Sequence, residues 1–272
     1  MSNAIANSTQ QQYDLGSGVR GGVDPSPPAS GVASLFTDGF ETGDLTHTEG
    51  SVAWSTASGS VSVSTSNPKT GLNALNFLYP ASTSQTELRF LLGAKYTELW
   101  VAYDLFIPLN YYHNNGTNNK GVVHLWEGDY NTPSGPLIGN NNWSDGAGGD
   151  SSSYHIFHAS GTPDYHVGQF GTGAGNSPNA IILSDRGQWI KNIVHVKYAT
   201  VANNDGILEH WKVYSGSTQK LHDIHDGAWY VAGQVGFDSG YIRGWANDQF
   251  SVDTTFNVDN FEVSETNIWG VS

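Results

Sequence analysis

The sequence predicts an all-β chain, two antiparallel sheets packed as a jelly-roll sandwich behind an extended N-terminal arm. Three observations lead there. From Leu35 onward, short runs of Val, Ile, Thr, Tyr, Phe and Trp alternate with clusters of Gly, Asn, Ser and Asp, the punctuation of strands and turns. No stretch carries an apolar stripe of 3.6-residue period. The 272 residues include 33 Gly, 9 Trp, 13 Tyr and 11 Phe, a supply of aromatic core that a disordered chain lacks.

The arm comes first. Residues 1–33 are rich in Gly, Ser, Pro and Gln, with Pro25-Ser26-Pro27-Pro28 near their end. Such a composition cannot bury enough surface to fold alone, so the arm is expected to grip a neighbouring subunit in a homo-oligomer. Met1 to Gln12 has neither a basic nor an apolar region of the secretory kind.

The strands follow. Ser60–Thr65 alternates with strict period two, and Leu72–Tyr79 is mostly apolar. Glu98–Pro108 is apolar on both faces, which places it centrally with cover on each side, and Pro108 ends its pairing. Gly121–Trp126, Tyr154–His158, His166–Phe170, Trp189–Thr200, Ile207–Tyr214 and Thr255–Val263 complete the set, with Asn203-Asn204-Asp205-Gly206 as a hairpin turn. Without an internal repeat or a second composition shift, residues 34–265 read as one domain and 266–272 as a tail. Two long loops are expected, Tyr130–Ser153 and Gly171–Pro178. Trp143 in the first is a candidate sugar platform, because an indole face matches the C–H face of a pyranose; it equally suits folding back onto the sandwich.

Charge and composition exclude several classes. With 25 acidic and 11 basic side chains, the net charge is −14. An acidic chain without a basic cluster does not track a phosphate backbone, so no nucleic-acid partner is expected. The absence of Cys excludes disulfides, thiol chemistry and Cys-bound zinc. No run of about 18 apolar residues suggests a membrane helix.

Phe40-Glu41-Thr42-Gly43-Asp44-Leu45 with Trp54, and the closing Phe256–Val263 strand, resemble the opening and end of concanavalin A-like jelly rolls. Gln85-Thr86-Glu87-Leu88-Arg89 is similar to the R-x-E-L-R strand of the polysaccharide-lyase branch, and Tyr96–Pro108 to the strand after it. Val122-Val123-His124-Leu125-Trp126 is similar to its Q-x-H strand, and Trp189–Trp211 to its back hairpin. Val122 and Gln85 stand where that branch has Gln and Arg, and Gly240-Tyr241-Ile242-Arg243 is a poor match to its late Tyr/Lys strand.

In that branch, β-elimination on a uronic acid needs a neutralised carboxylate, a base for the adjacent C–H and an acid for the leaving oxygen. The resemblance makes Arg89 the carboxylate clamp, His124 the base and Tyr165 or Tyr241 the acid. Period two puts Gln85, Glu87 and Arg89 on one strand face, and His124 and Trp126 on another. With Trp143, these are the candidate glycan-binding residues. A structural Glu87–Arg89 pair and a sheet-bound His124 are the competing reading, and the net charge repels a polyuronate unless a basic patch outweighs it locally. The E-x-D-x-E strand of related glucanases is absent; Glu127-Gly128-Asp129 suits a solvated turn.

The resemblance also implies a structural Ca2+, with Glu41, Asp44 and Asp259 as ligands; Asp145 and Asp150 are a lesser pair. His155/His158 and His222/His225 are spaced i,i+3, so in strands each pair points to opposite faces. The functional expectation is a virion-associated jelly roll, on a phage surface, fibre or capsid, reaching the outside by lysis rather than through a signal peptide. It binds a polysaccharide or cell-surface glycan without cleaving it. The alternatives are a polysaccharide lyase acting on a uronic-acid polymer and a purely structural decoration protein.

Overall fold

A computed structural model describes residues 34–113, 118–130, 132–133, 137–157, 163–167, 178–200, 203–229 and 236–272. The arm, 1–33, and most of the Gly171–Pro178 loop lie outside them. The strands are β1 (Phe36–Asp38), β2 (Thr48–Glu49), β3 (Val52–Ser58), β4 (Ser60–Ser64), β5 (Ala74–Tyr79), β6 (Glu87–Tyr96) and β7 (Glu98–Ile107). Next come β8 (Asn119–Trp126), β9 (Gly128–Asp129), β10 (Thr132–Pro133), β11 (Leu137–Ser144), β12 (Asp150–Phe157), β13 (Pro163–Val167) and β14 (Asn179–Ile181). After a 3-10 turn at Leu183–Asp185 follow β15 (Gln188–Lys197), β16 (Gly206–Tyr214), β17 (Ser217–Gly227), β18 (Phe237–Ile242) and β19 (Thr254–Ser264).

Two antiparallel sheets form the sandwich. The first runs β17-β16-β15-β7-β19-β5-β4, with β1 also on β19; the second runs β13-β12-β11-β8-β18-β6-β3-β2, with β14 on β12. Period two decides which side chains meet between them. Leu99, Val101, Tyr103, Leu105 and Ile107 of β7 face Leu88, Phe90 and Leu92 of β6 and Val123 and Leu125 of β8 across one core. The expected two-sided cover of β7 is present. Trp100 and Ala102 point outward, beneath Trp269 and Val271 of the C-terminal tail.

One expectation fails. The Asn-rich stretch within Tyr130–Ser153 is not a long loop but two strands, β11 and β12, joined by a short turn. Asn140 and Asn142 are buried in a polar part of the interior. Asn140 accepts the Val122 N–H (2.9 Å) and donates to Ser152 Oγ (2.9 Å), while Asn142 donates to Asp150 Oδ2 (2.8 Å). From the facing sheet His222 bonds Ser152 Oγ (3.0 Å), and the edge of Tyr154 meets the rings of His210 and His222. A run that looks too polar for a strand is accommodated because each amide finds an internal partner.

Candidate functional site

The outward face of the second sheet brings together the residues singled out by motif. Arg89 on β6 pairs in register with Tyr241 on β18, Tyr241 with His124 on β8, and His124 with Gly139 on β11. The row continues through His155 on β12 to His166 on β13. Their neighbours Leu88, Phe90, Val123, Leu125 and Ile242 point into the core. Tyr241, Trp126 and Leu137 form a separate apolar cluster on the outward side, with Tyr130 packed on it.

The rings lock together. His124 stacks on Tyr241 (centroids 4.4 Å apart, 17° between planes), and Trp126 and Tyr130 meet Tyr241 at 5.8 and 5.5 Å. The Tyr130 and Tyr241 hydroxyls are 3.2 Å apart. Gly139 makes room for the imidazole, since a Cβ there would lie 2.5 Å from His124 Nε2. The Arg89 guanidinium lies over Tyr130 (5.0 Å) and Trp126 (5.6 Å) and spends only Nε, on Glu87 Oε1 at 2.7 Å. Its terminal nitrogens take no hydrogen bond among the described residues.

Burial sets the protonation. It pushes the His124 imidazole well below its usual range, and the charges of Lys120 and His155 push the same way. Burial, then Tyr130, raises the Tyr241 phenol well above its ordinary value. Both are therefore neutral near pH 7. His124 Nδ1 is buried without a partner. Lys120 on β8 donates to Asn141 Oδ1 (2.9 Å) and has no carboxylate partner, and burial lowers its pKa. This face thus carries two basic side chains, Arg89, paired with Glu87, and Lys120, farther along β8. One step along the strands from the row, Leu91 and Ser239 help to line an open depression of about 380 Å³ with Gly93, Lys95 and Gly128.

Not every candidate joins. Gln85 precedes β6, is exposed and hydrogen-bonds Ser58 Oγ, so the expected three-residue face reduces to Glu87 and Arg89. Tyr165 lies on β13, four strands from β18, about 19 Å away at the usual strand spacing; of the two tyrosines, only Tyr241 stands beside His124. Trp143 is a half-buried strand residue whose Nε1 donates to Ser153 Oγ (3.1 Å), not a loop platform. Glu127 is not a solvated turn acid: it is buried, ion-paired with Lys95 and bonded by the Gly236 N–H.

The expected calcium ligands do not fit that ion. Glu41 accepts the N–H groups of Leu72 and Asn73, and Asp44 the N–H and hydroxyl of Thr46. Asp259 accepts those of Lys69, Thr70 and Asn260. The three carboxylates do not converge, and each is spent on donors. Asp145 is spent on Ala147 and Gly149, and Asp150 is buried against Tyr111 and His113. Among the described residues, the one group of three with ligand atoms close together is Glu209, Asp223 and His225 on the opposite sheet. The i,i+3 argument holds for His222 and His225: the first faces the interior, the second Glu209.

The fold is a two-sheet antiparallel jelly-roll sandwich. Alginate lyase Aly36B in complex with an alginate tetrasaccharide superposes with a TM-score of 0.51, at 15% identity over 71% of this chain and 81% of the other. The marine PL-14 alginate lyase from Aplysia kurodai gives 0.53, at 12% over 76% and 87%. The cellulose induced protein Cip1 gives 0.53, at 12% over 85% and 97%. No protein-family model and no curated protein matches the sequence. Identities this low establish shared architecture and leave the chemistry to the residues.

Sequence reasoning missed Lys120, Tyr130, Asn141 and His155. Each is brought to the row by register or by a loop, and the only advance signal was the period-two spacing of Lys120 from His124.

Proposed function

We propose that this protein binds an acidic polysaccharide on the outward face of the second sheet without cleaving it. The observation that carries the proposal is the in-register Arg89–Tyr241–His124 row, with a guanidinium whose terminal nitrogens are free. A sugar carboxylate matches that fork in a bidentate pair, and the adjoining depression offers room for neighbouring rings. The Lys120 ammonium, which has no carboxylate partner among the described residues, adds attraction that the net charge of −14 would otherwise deny.

Binding is favoured over elimination by exposure and by charge. His124 and Tyr241 are 2% and 1% exposed, whereas the Arg89 side chain is 29% exposed. Burial also opposes both imidazolium and phenolate, the charged forms that proton transfer through this pair would create. The lyase reading keeps one specific support: a neutral imidazole stacked on a protonated tyrosine beside an arginine. There, His124 would take the proton next to the carboxylate and Tyr241 would protonate the leaving oxygen.

Calorimetric titration with alginate and polygalacturonate oligomers separates these readings. Binding weakened at least tenfold in Arg89→Ala, without new ultraviolet absorption from unsaturated ends, supports the binding role. Unsaturated ends that vanish in His124→Ala establish the lyase. No binding to any uronate polymer retires both. We further propose display on a virion surface as a homo-oligomer joined through residues 1–33; the polar composition of that arm supports this. Light scattering with and without those residues tests it, and an unchanged mass counts against it.

A further inference from the structure

The first sheet has a cleft on its outward face, on the opposite side of the molecule from the row. Its floor is β15 to β17 and one wall is the C-terminal tail. Lys191, Trp211, Thr218, Lys220 and Trp269 supply its distinctive chemistry, in a volume of about 430 Å³, the size of a small-ligand pocket.

Four side chains in this lining, Lys191, Lys220, Trp211 and Trp269, are donors only. Trp211 is buried, and its Nε1–H has no acceptor. A buried donor left unmet is costly unless something arrives to accept it. Lys191 makes no hydrogen bond among the described residues and is ion-paired with Asp104 Oδ2 at 3.6 Å. Lys220 donates to Glu209 and Asp223 at 3.0 and 3.1 Å and lies over the Trp211 ring at 4.8 Å. No acidic side chain lines the cleft, although the chain has more than twice as many acids as bases. Trp269, half-buried, adds a second indole.

We propose that this cleft is a second saccharide site, which takes one uronate unit of an acidic polysaccharide. The ring's C–H face would lie on the Trp269 indole, its carboxylate at the Lys191 ammonium, and a ring or hydroxyl oxygen within reach of the Trp211 N–H. Two ammonium groups beside an indole N–H without an acceptor select an acceptor-rich, negatively charged ligand; the indoles select one with a flat apolar face. The proposal does not rest on the reading of the second sheet, and it makes the protein able to hold two chains, one on each face.

The test uses the full chain carrying Arg89→Ala, so that the other face is disabled, with 15N-labelled indoles and a galacturonate trisaccharide. Expected are shifts of the Trp211 and Trp269 indole N–H signals, with affinity at least tenfold lower in Trp269→Ala and about fivefold lower in Lys191→Gln. Trp269→Phe retains an aromatic face and should bind within about threefold of the parent, which guards against a merely loosened tail. Unmoved indole signals at millimolar sugar overturn the proposal. So do equal affinity in Lys191→Gln and equal affinity for an uncharged cello-oligosaccharide. The Arg89 background separates this failure from failure of the first site.

Discussion

Two histidines occupy comparable positions on the outward faces of the two sheets, and their surroundings are opposite. His195 stacks on Trp100 at 4.0 Å, and both of its nitrogens are spent, Nδ1 on Glu209 (2.7 Å) and Nε2 on Glu98 (2.8 Å). His124 stacks on Tyr241 at 4.4 Å, yet its Nδ1 meets nothing and its charged neighbours are cations. The ring packing is alike; the hydrogen-bonding capacity left over is not. A fully partnered histidine stabilises its sheet, whereas one left short by its own protein is where a ligand has something to gain.

The sharpest way to break this comparison is to remove the hub of the partnered side. Glu209 takes hydrogen bonds from His195, Lys220 and His225. Glu209→Ala should cost about 3 kcal/mol in urea unfolding, with uronate affinity on the second sheet within twofold of the parent. A large loss of affinity there would show that the two faces are coupled.

Acid should then separate the histidines left without acidic partners from Glu209. Burial holds His222 down at about 4, and pushes His210 and His124 well below their usual value. Unfolded, each titrates near 6.5, so between the two values the unfolded chain binds more protons. Stability is therefore full above about pH 6.5 and falls as the pH drops toward 4; His222 alone accounts for about 3 kcal/mol. Burial raises Glu209, but hydrogen bonds from His195 and Lys220 outweigh it and hold the carboxyl below its ordinary value. Its contribution is lost only as the pH falls below the normal carboxylate range. Urea midpoints measured from pH 7.5 to 3 should show two stages, and His222→Gln should flatten the upper one alone. A single stage below pH 4 would contradict the burial argument.

Smaller substitutions sharpen the contrast. Gly139→Ala forces a methyl against the His124 imidazole; about 1–3 kcal/mol of stability and most of the sugar binding should go together. His124→Ala should lower stability by about 2 kcal/mol, the low end for a buried truncation, since no hydrogen bond of Nδ1 is lost, while affinity falls at least tenfold. If His124→Ala destabilises more than Glu209→Ala, the roles assigned to the two faces are reversed.

Much of the fold was legible. The two-sided apolar run of β7 and the Asn203–Gly206 turn are local signals, and each states its own outcome. The polar interior was not legible, because whether Asn140 and Asn142 can be buried depends on Ser152 and Asp150, partners on the neighbouring strand. β17 was missed for a related reason: as an edge strand its Ser217–Lys220 stretch is polar, and only pairing with β16 reveals it. At the site, motif resemblance singled out Arg89 and His124 but left Tyr165 and Tyr241 level. Register decided between them, and register is a property of the sheet.

Because the row is assembled crosswise, one residue from each of six strands, its integrity depends on phase. Inserting a single residue within β8 just before His124 would turn the imidazole inward and offer an aliphatic side chain in its place, though nothing had been deleted. Lengthening a connection between strands leaves the phase untouched. The connections of this molecule can thus change in length, while its central strands must keep step with one another.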